Sequence, residues 1–142
     1  MDVYFFGRFK KEKGFTLVEL LIIVIVVVVL IGLAVRTFTF LTDRVRETST
    51  EVEMANITKA LQIYVAVQNI YPPEADFPEA LEDAGIMDNV PELDTWENPY
   101  QYSSIAGITY TLESYGIDGA NGGGDDIVYI NGVLIEGGLY SN

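Results

Sequence analysis

The sequence predicts an α+β protein: one long amino-terminal helix, membrane-spanning in its first half, packed on a small antiparallel β-sheet head. Three observations carry that expectation. Phe15 to Val35 is 21 residues long with a single ionisable side chain, Glu19, and at a rise of about 1.5 Å per residue it matches the hydrocarbon core of a bilayer. Thr37 to Ile70 contains neither Pro nor Gly, so nothing in it stops the same helix from continuing past the membrane. The last third of the chain alternates short β-rich runs with turn residues, as paired strands do. Residues 1–14 are then a basic leader, 15–35 a transmembrane helix, 36–70 its continuation and 71–142 the globular head.

Taken in order, the leader carries Arg8, Lys10, Lys11 and Lys13 and stops at Gly14. Ile22 to Val29 is an unbroken run of eight β-branched residues. In water it would read as a buried strand, but lipid requires backbone polar groups to be satisfied within the segment, so it is helix. Gly32, the one glycine inside the span, lets a neighbouring helix approach closely. Beyond the membrane, Ile57, Ala60, Leu61, Tyr64, Val65 and Gln68 follow the three-and-four spacing of one buried face. Thr42 to Glu53 is mostly polar, with Val45 and Val52 seven apart, and reads as a surface for solvent or a neighbouring subunit. Tyr71-Pro72-Pro73 ends the helix. A short helix is expected at Pro78 to Ala84, with Pro in its first turn and Gly85 as its stop. Val90 to Pro99 reads as loop. Tyr100 to Ser103 and Thr109 to Ser114 form one hairpin; Ile127 to Ile130 and Val133 to Ile135 form another, joined by Asn131-Gly132 in a type I′ turn.

Composition excludes several kinds of chemistry. The chain has no Cys and no His, which removes disulfide staples, imidazole general bases and most zinc sites. Net charge is −13, and removing residues 1–14 leaves four basic against nineteen acidic side chains. After Lys59 there are fourteen Asp and Glu and no Lys or Arg. Such a head repels nucleic-acid phosphate and favours cations, so no nucleic-acid partner is expected.

Glu19 is the anomaly. A carboxylate within a span costs about 2.5 to 3.5 kcal/mol at the bilayer centre and less near an end, which makes it a functional candidate with a partner to be named. A signal peptide does not explain it, because its apolar core is about 7 to 15 residues and is followed by a small-residue cut site. At Gly14-Phe15-Thr16-Leu17-Val18-Glu19-Leu20 the chain resembles the type IV pilin superfamily. The resemblance implies that a membrane-embedded prepilin peptidase cleaves between Gly14 and Phe15, that the new amino terminus of Phe15 is methylated, and that Glu19 pairs with that amine during assembly. An amine four positions before Glu19 makes a buried carboxylate tolerable. Arg36 stands where many members carry a proline.

Between the hairpins lies a glycine-rich loop with three carboxylates, Asp118, Asp125 and Asp126. Glycines let such a backbone fold back, and hard oxygen ligands suit calcium. The spacing is not that of an EF-hand, and on the residues alone a solvated turn is the ordinary reading. Asp94-Thr95-Trp96-Glu97-Asn98-Pro99-Tyr100, then Ser114-Tyr115-Gly116-Ile117-Asp118-Gly119 and Asp125-Asp126-Ile127, are similar to the major pseudopilin of type II secretion systems, with Thr95 in place of the usual proline. That likeness implies calcium bound by Asp118, Asp125 and Asp126 with the backbone oxygens of Tyr115 and Ala120. Trp96 and Tyr100 read as anchoring aromatics.

The resemblance implies a type IV pilin-like structural subunit and not an enzyme. Its partners would be further copies in a filament, minor pseudopilins, the prepilin peptidase, an inner-membrane assembly platform with its ATPase, and membrane lipid. The expected location is the inner membrane, single-pass, amino terminus cytoplasmic and head periplasmic, then a periplasmic filament that helps export folded proteins. Two alternatives stand beside it. One is a pilin of a surface type IV pilus, for adhesion, motility or DNA uptake, many of which close their carboxy-terminal region with a disulfide. The other is a membrane-tethered enzyme working through two carboxyls about 5 to 9.5 Å apart.

Overall fold

The computed structural model describes residues 14–140. The chain divides into two compact units, Met1–Thr39 and Phe40–Asn142. The leader's basic residues lie outside the described residues, and so do the last two positions.

Helix α1, Leu17–Gln68, has 52 residues and begins in the first unit and ends in the second. Within the first unit its apolar side chains are exposed along the whole of Leu20 to Val35. By length and composition this stretch can cross a membrane, with a mean hydropathy of 3.4 in its most apolar window. The helix is unbroken through Gly32 and Arg36. It ends at Gln68, two residues before the expected Ile70, because Asn69 takes a left-handed conformation at φ 64°, which Asn tolerates better than most residues. The Asn69 N–H still donates to the Val65 carbonyl at 2.8 Å, and the Tyr71 N–H turns instead to the Gly107 carbonyl at 2.9 Å.

In the second unit, Met54, Ile57, Ala60 and Leu61 of α1 form one core with the sheet residues Tyr102, Tyr110, Leu112, Ile127 and Tyr129. The expected face is corrected at both ends. Gln68 is exposed, whereas Met54, Thr50 and Glu47 are buried. Glu47, read from sequence as part of a solvated face, is 3% exposed. The cause is the carboxy-terminal segment, whose Tyr140 N–H donates to Glu47 Oε1 at 2.8 Å while its ring meets Phe40 edge to face at 5.0 Å. Val45 and Val52 remain exposed.

A single 3₁₀ turn at Glu74–Asp76 precedes α2, Glu79–Asp83, which Pro78 caps and which ends before Gly85 at φ 64°. The sheet follows in the order β1-β2-β3-β4, all neighbours antiparallel. Its strands are β1 Gln101–Ile105, β2 Thr109–Ser114, β3 Ile127–Ile130 and β4 Val133–Gly137. Both hairpins fall where the turn residues place them. Asn131 and Gly132 have φ of 49° and 89°, as a type I′ turn requires. Alternation buries Tyr110, Leu112 and Ser114 along β2, and an irregularity between Val128 and Tyr129 shifts the register of β4. The result is a type IV pilin-like α+β fold.

Candidate functional site

Two places bring sequence-selected residues together. At the amino-terminal end of α1, Gly14, Phe15, Thr16 and Glu19 line an open cleft of about 290 Å³. Thr16 and Glu19 satisfy each other's orphan donors. The Glu19 N–H donates to Thr16 Oγ1 at 3.2 Å, and Glu19 Oε2 accepts from the Thr16 N–H at 2.9 Å and from its hydroxyl at 2.8 Å. This is a capping box, in which a Thr and a Glu three residues on close the start of a helix. Its signature in the sequence is Thr16-Leu17-Val18-Glu19, a Thr and a Glu three apart that the motif at Gly14 to Leu20 overlies. The consequence is a second use for Glu19: its carboxylate is anchored one turn from Phe15.

The second place is the loop from Ser114 to Ile127. It is held from outside by Asp94, which is 5% exposed. Asp94 Oδ1 accepts from the N–H groups of Trp96 and Asn98, both at 2.9 Å, and Oδ2 accepts from the Ser114 hydroxyl at 2.6 Å. Asn98 Nδ2 then donates to the Gly116 carbonyl at 2.8 Å. At Gly116, with φ 57°, a Cβ would collide with the Asp125 carbonyl, so glycine is required twice over there. In the sequence Asp94 and Asn98 stand out only by their likeness to a family; their role as clamps depends on contacts 20 and 18 residues away.

Inside the loop the carboxylates first serve the backbone. Asp125 Oδ2 accepts from the Asp118 N–H at 3.0 Å, Asp118 Oδ1 from the Ala120 N–H at 2.8 Å, and Asp126 Oδ2 from the Gly122 N–H at 2.7 Å. The Tyr115 carbonyl accepts from the Gly119 N–H at 3.1 Å. The second oxygens of Asp118 and Asp125 face one spot: a Cβ on Gly123 would sit 3.2 Å from Asp118 Oδ2 and 3.0 Å from Asp125 Oδ1. Asp126 is 6% exposed, and its Oδ1 is buried with no hydrogen-bond partner. Among the described residues, no three acidic side chains gather at metal-ligand spacing. The loop thus unites Asp118 with Asp125 and leaves one orphaned oxygen on Asp126, all of them the hard donors that calcium takes.

Comparison with known proteins bears on both places. Residues 9–35 match the prokaryotic N-terminal methylation motif, which puts the chain among type IV pilin-like proteins. Residues 39–131, more than half of the chain, match the family described as type II secretion system (T2SS), protein G, and the chain belongs to that family of structural secretion-system subunits. It is 26% identical over 132 residues to the type II secretion system core protein G of Aeromonas hydrophila, an alignment covering 83% of this chain and 92% of that protein. No solved structure matches the chain. The apolar first half of α1, in a member of this family, is an inner-membrane anchor.

Proposed function

We propose that this chain is a pseudopilus subunit made as a precursor, cleaved between Gly14 and Phe15, methylated on the Phe15 amine and drawn from the inner membrane into a periplasmic filament that helps export folded proteins. The observation that carries this reading is continuity: the methylation motif at 9–35 runs straight into the protein G match at 39–131. Cleavage would put the Phe15 amine at the cleft that Phe15 and Glu19 line, where Thr16 already holds the Glu19 carboxylate. An opposite charge there offsets the cost of Glu19 in lipid. The partners are further copies, minor pseudopilins, the prepilin peptidase and the assembly platform with its ATPase. Nothing in this role calls for catalysis by the chain itself.

Calcium is part of the same proposal. Asp118, Asp125 and Asp126 would hold it, with the carbonyls of Tyr115 and Ala120, and the ion would neutralise carboxylates in a stretch of sequence that holds no Lys or Arg. An ion that binds only the folded chain, at a free concentration of about one hundred times its dissociation constant, stabilises by about 2.7 kcal/mol. Calcium should raise the melting temperature of the detergent-solubilised chain, and Asp118→Ala should abolish the rise. Identical melts with calcium and with chelator would remove calcium from the account.

The functional test compares extracellular proteins and motility in cells with and without the gene. Loss of specific secreted proteins with motility intact is the expected result. Loss of surface fibres or motility with secretion unchanged would assign the chain to a surface pilus. Mass spectrometry of filaments should find a chain beginning at amino-methylated Phe15, and retention of Gly14 would contradict the maturation step.

A further inference from the structure

The described residues carry four cations, Arg36, Arg44, Arg46 and Lys59, all exposed and all on α1. The fourteen acidic residues after Lys59 have no cation among them. Charge is therefore segregated along the chain, and the segregation coincides with an apolar helix face and an open groove in the second unit. The face is the side of α1 that carries Leu41, Val45 and Val52, with Arg44 beside them. These apolar side chains are 53%, 68% and 57% exposed. They occupy the side of α1 turned away from the buried positions Met54, Ile57 and Leu61, as a repeat of about 3.6 residues per turn requires. The Arg44 guanidinium pairs with no carboxylate among the described residues.

The groove, of about 500 Å³, lies between Tyr64 and Gln68 of α1 and the short helix α2. Asp76, Glu79 and Asp83 line it; all three are exposed and none accepts a side-chain hydrogen bond from another described residue. It is a surface of one sign with no counter-charge of its own. Arg44 cannot fill it within the same chain. Twenty residues of helix separate Arg44 from Tyr64, about 30 Å at 1.5 Å per residue.

We propose that a second copy of this chain covers both surfaces: Arg44, with the Leu41, Val45 and Val52 stripe, docks in the Asp76, Glu79 and Asp83 groove of a copy displaced along the helix axis. The proposal rests on the filament reading above and names the contact that carries it. The two surfaces differ and lie about 30 Å apart on parallel copies, so the contact is heterologous. Each copy leaves one of the two surfaces free for the next, and a contact of that kind that does not close into a ring continues as a filament. Opposite charge selects the register, and the apolar stripe loses its exposure to water when seated.

The chain has no cysteine, so paired cysteines report the contact without background. Full-length chains carrying Val45→Cys together with Ala80→Cys, expressed with the secretion machinery and oxidised, should give a ladder of cross-linked multimers. Chains with Ala80→Cys alone should give none. Arg44→Glu should lower filament yield at unchanged membrane levels of the chain, and adding Asp83→Arg should recover it. Filaments that form normally while the double-cysteine chain yields no ladder and Arg44→Glu has no effect would overturn this interface and leave the filament reading intact. A chain that never polymerises alongside its machinery would overturn both.

Discussion

At the scale of single residues, the half-buried Glu51 of α1 defines a pH response. Glu47 Oε2 and Glu51 Oε1 are both buried without a hydrogen-bond partner. The Glu51 carboxyl is held above its ordinary value of 4.5, first by desolvation and then by the like charge of Glu47 one turn away. A carboxyl whose folded value is raised binds its proton more tightly in the native chain. Its contribution is therefore favourable on the acid side and is lost as pH climbs from about 4.5 through the raised value. Melts of the solubilised chain between pH 4.5 and 7 should show that loss, and Glu51→Gln should flatten it and raise stability at pH 7. An unchanged slope in the variant would assign the response elsewhere. Gly116 is the opposite kind of residue, defined by absence of a side chain. Gly116→Ala sets a methyl against the Asp125 carbonyl at φ 57° and should cost about 1–3 kcal/mol, measured by denaturant unfolding. A cost near zero would mean that the Asp94 clamp gives way more easily than its contacts imply.

At the scale of elements, legibility in the sequence tracks how local the determining contacts are. The hairpins and α2 were readable because Asn131-Gly132, Gly85 and Pro78 act within a few residues of the turns and caps they make. The burial of Glu47 was not, because its cover is Tyr140, 93 positions away, and a polar helix face looks the same whether water or a chain terminus lies on it. The acidic loop falls between these cases. Its glycines announced a folded-back backbone, yet the parts that fix it, Asp94 and Asn98, belong to a loop that reads as irregular. Asp94→Ala removes three accepted hydrogen bonds and strands the Ser114 hydroxyl. About 3 kcal/mol should be lost, and because the clamp positions the loop proposed to hold calcium, any calcium-dependent stabilisation should fall with it. Full retention of the calcium effect in Asp94→Ala would show that the loop organises itself.

At the scale of the whole molecule, the governing quantity is unbalanced charge. A mature chain beginning at Phe15 would carry four basic and nineteen acidic residues, and the fourteen acids after Lys59 lie close together in a small folded unit with no disulfide to oppose their repulsion. Compactness under these conditions is favoured by anything that screens or neutralises carboxylates. Screening and binding separate by concentration. Monovalent salt shortens the Debye length from about 10 Å at 0.1 M to about 3 Å at 1 M, so with chelator present the melting temperature should rise gradually over that range, equally in sodium and potassium chloride. Site binding should instead saturate at far lower calcium and survive in high salt. The same salt that stabilises the single chain should weaken an assembly held by Arg44 against Asp76, Glu79 and Asp83, because that attraction is between exposed charges. Stability and polymerisation therefore have opposite salt dependences. Filaments that strengthen in parallel with the melting temperature would place the apolar stripe, not the charges, in control of assembly.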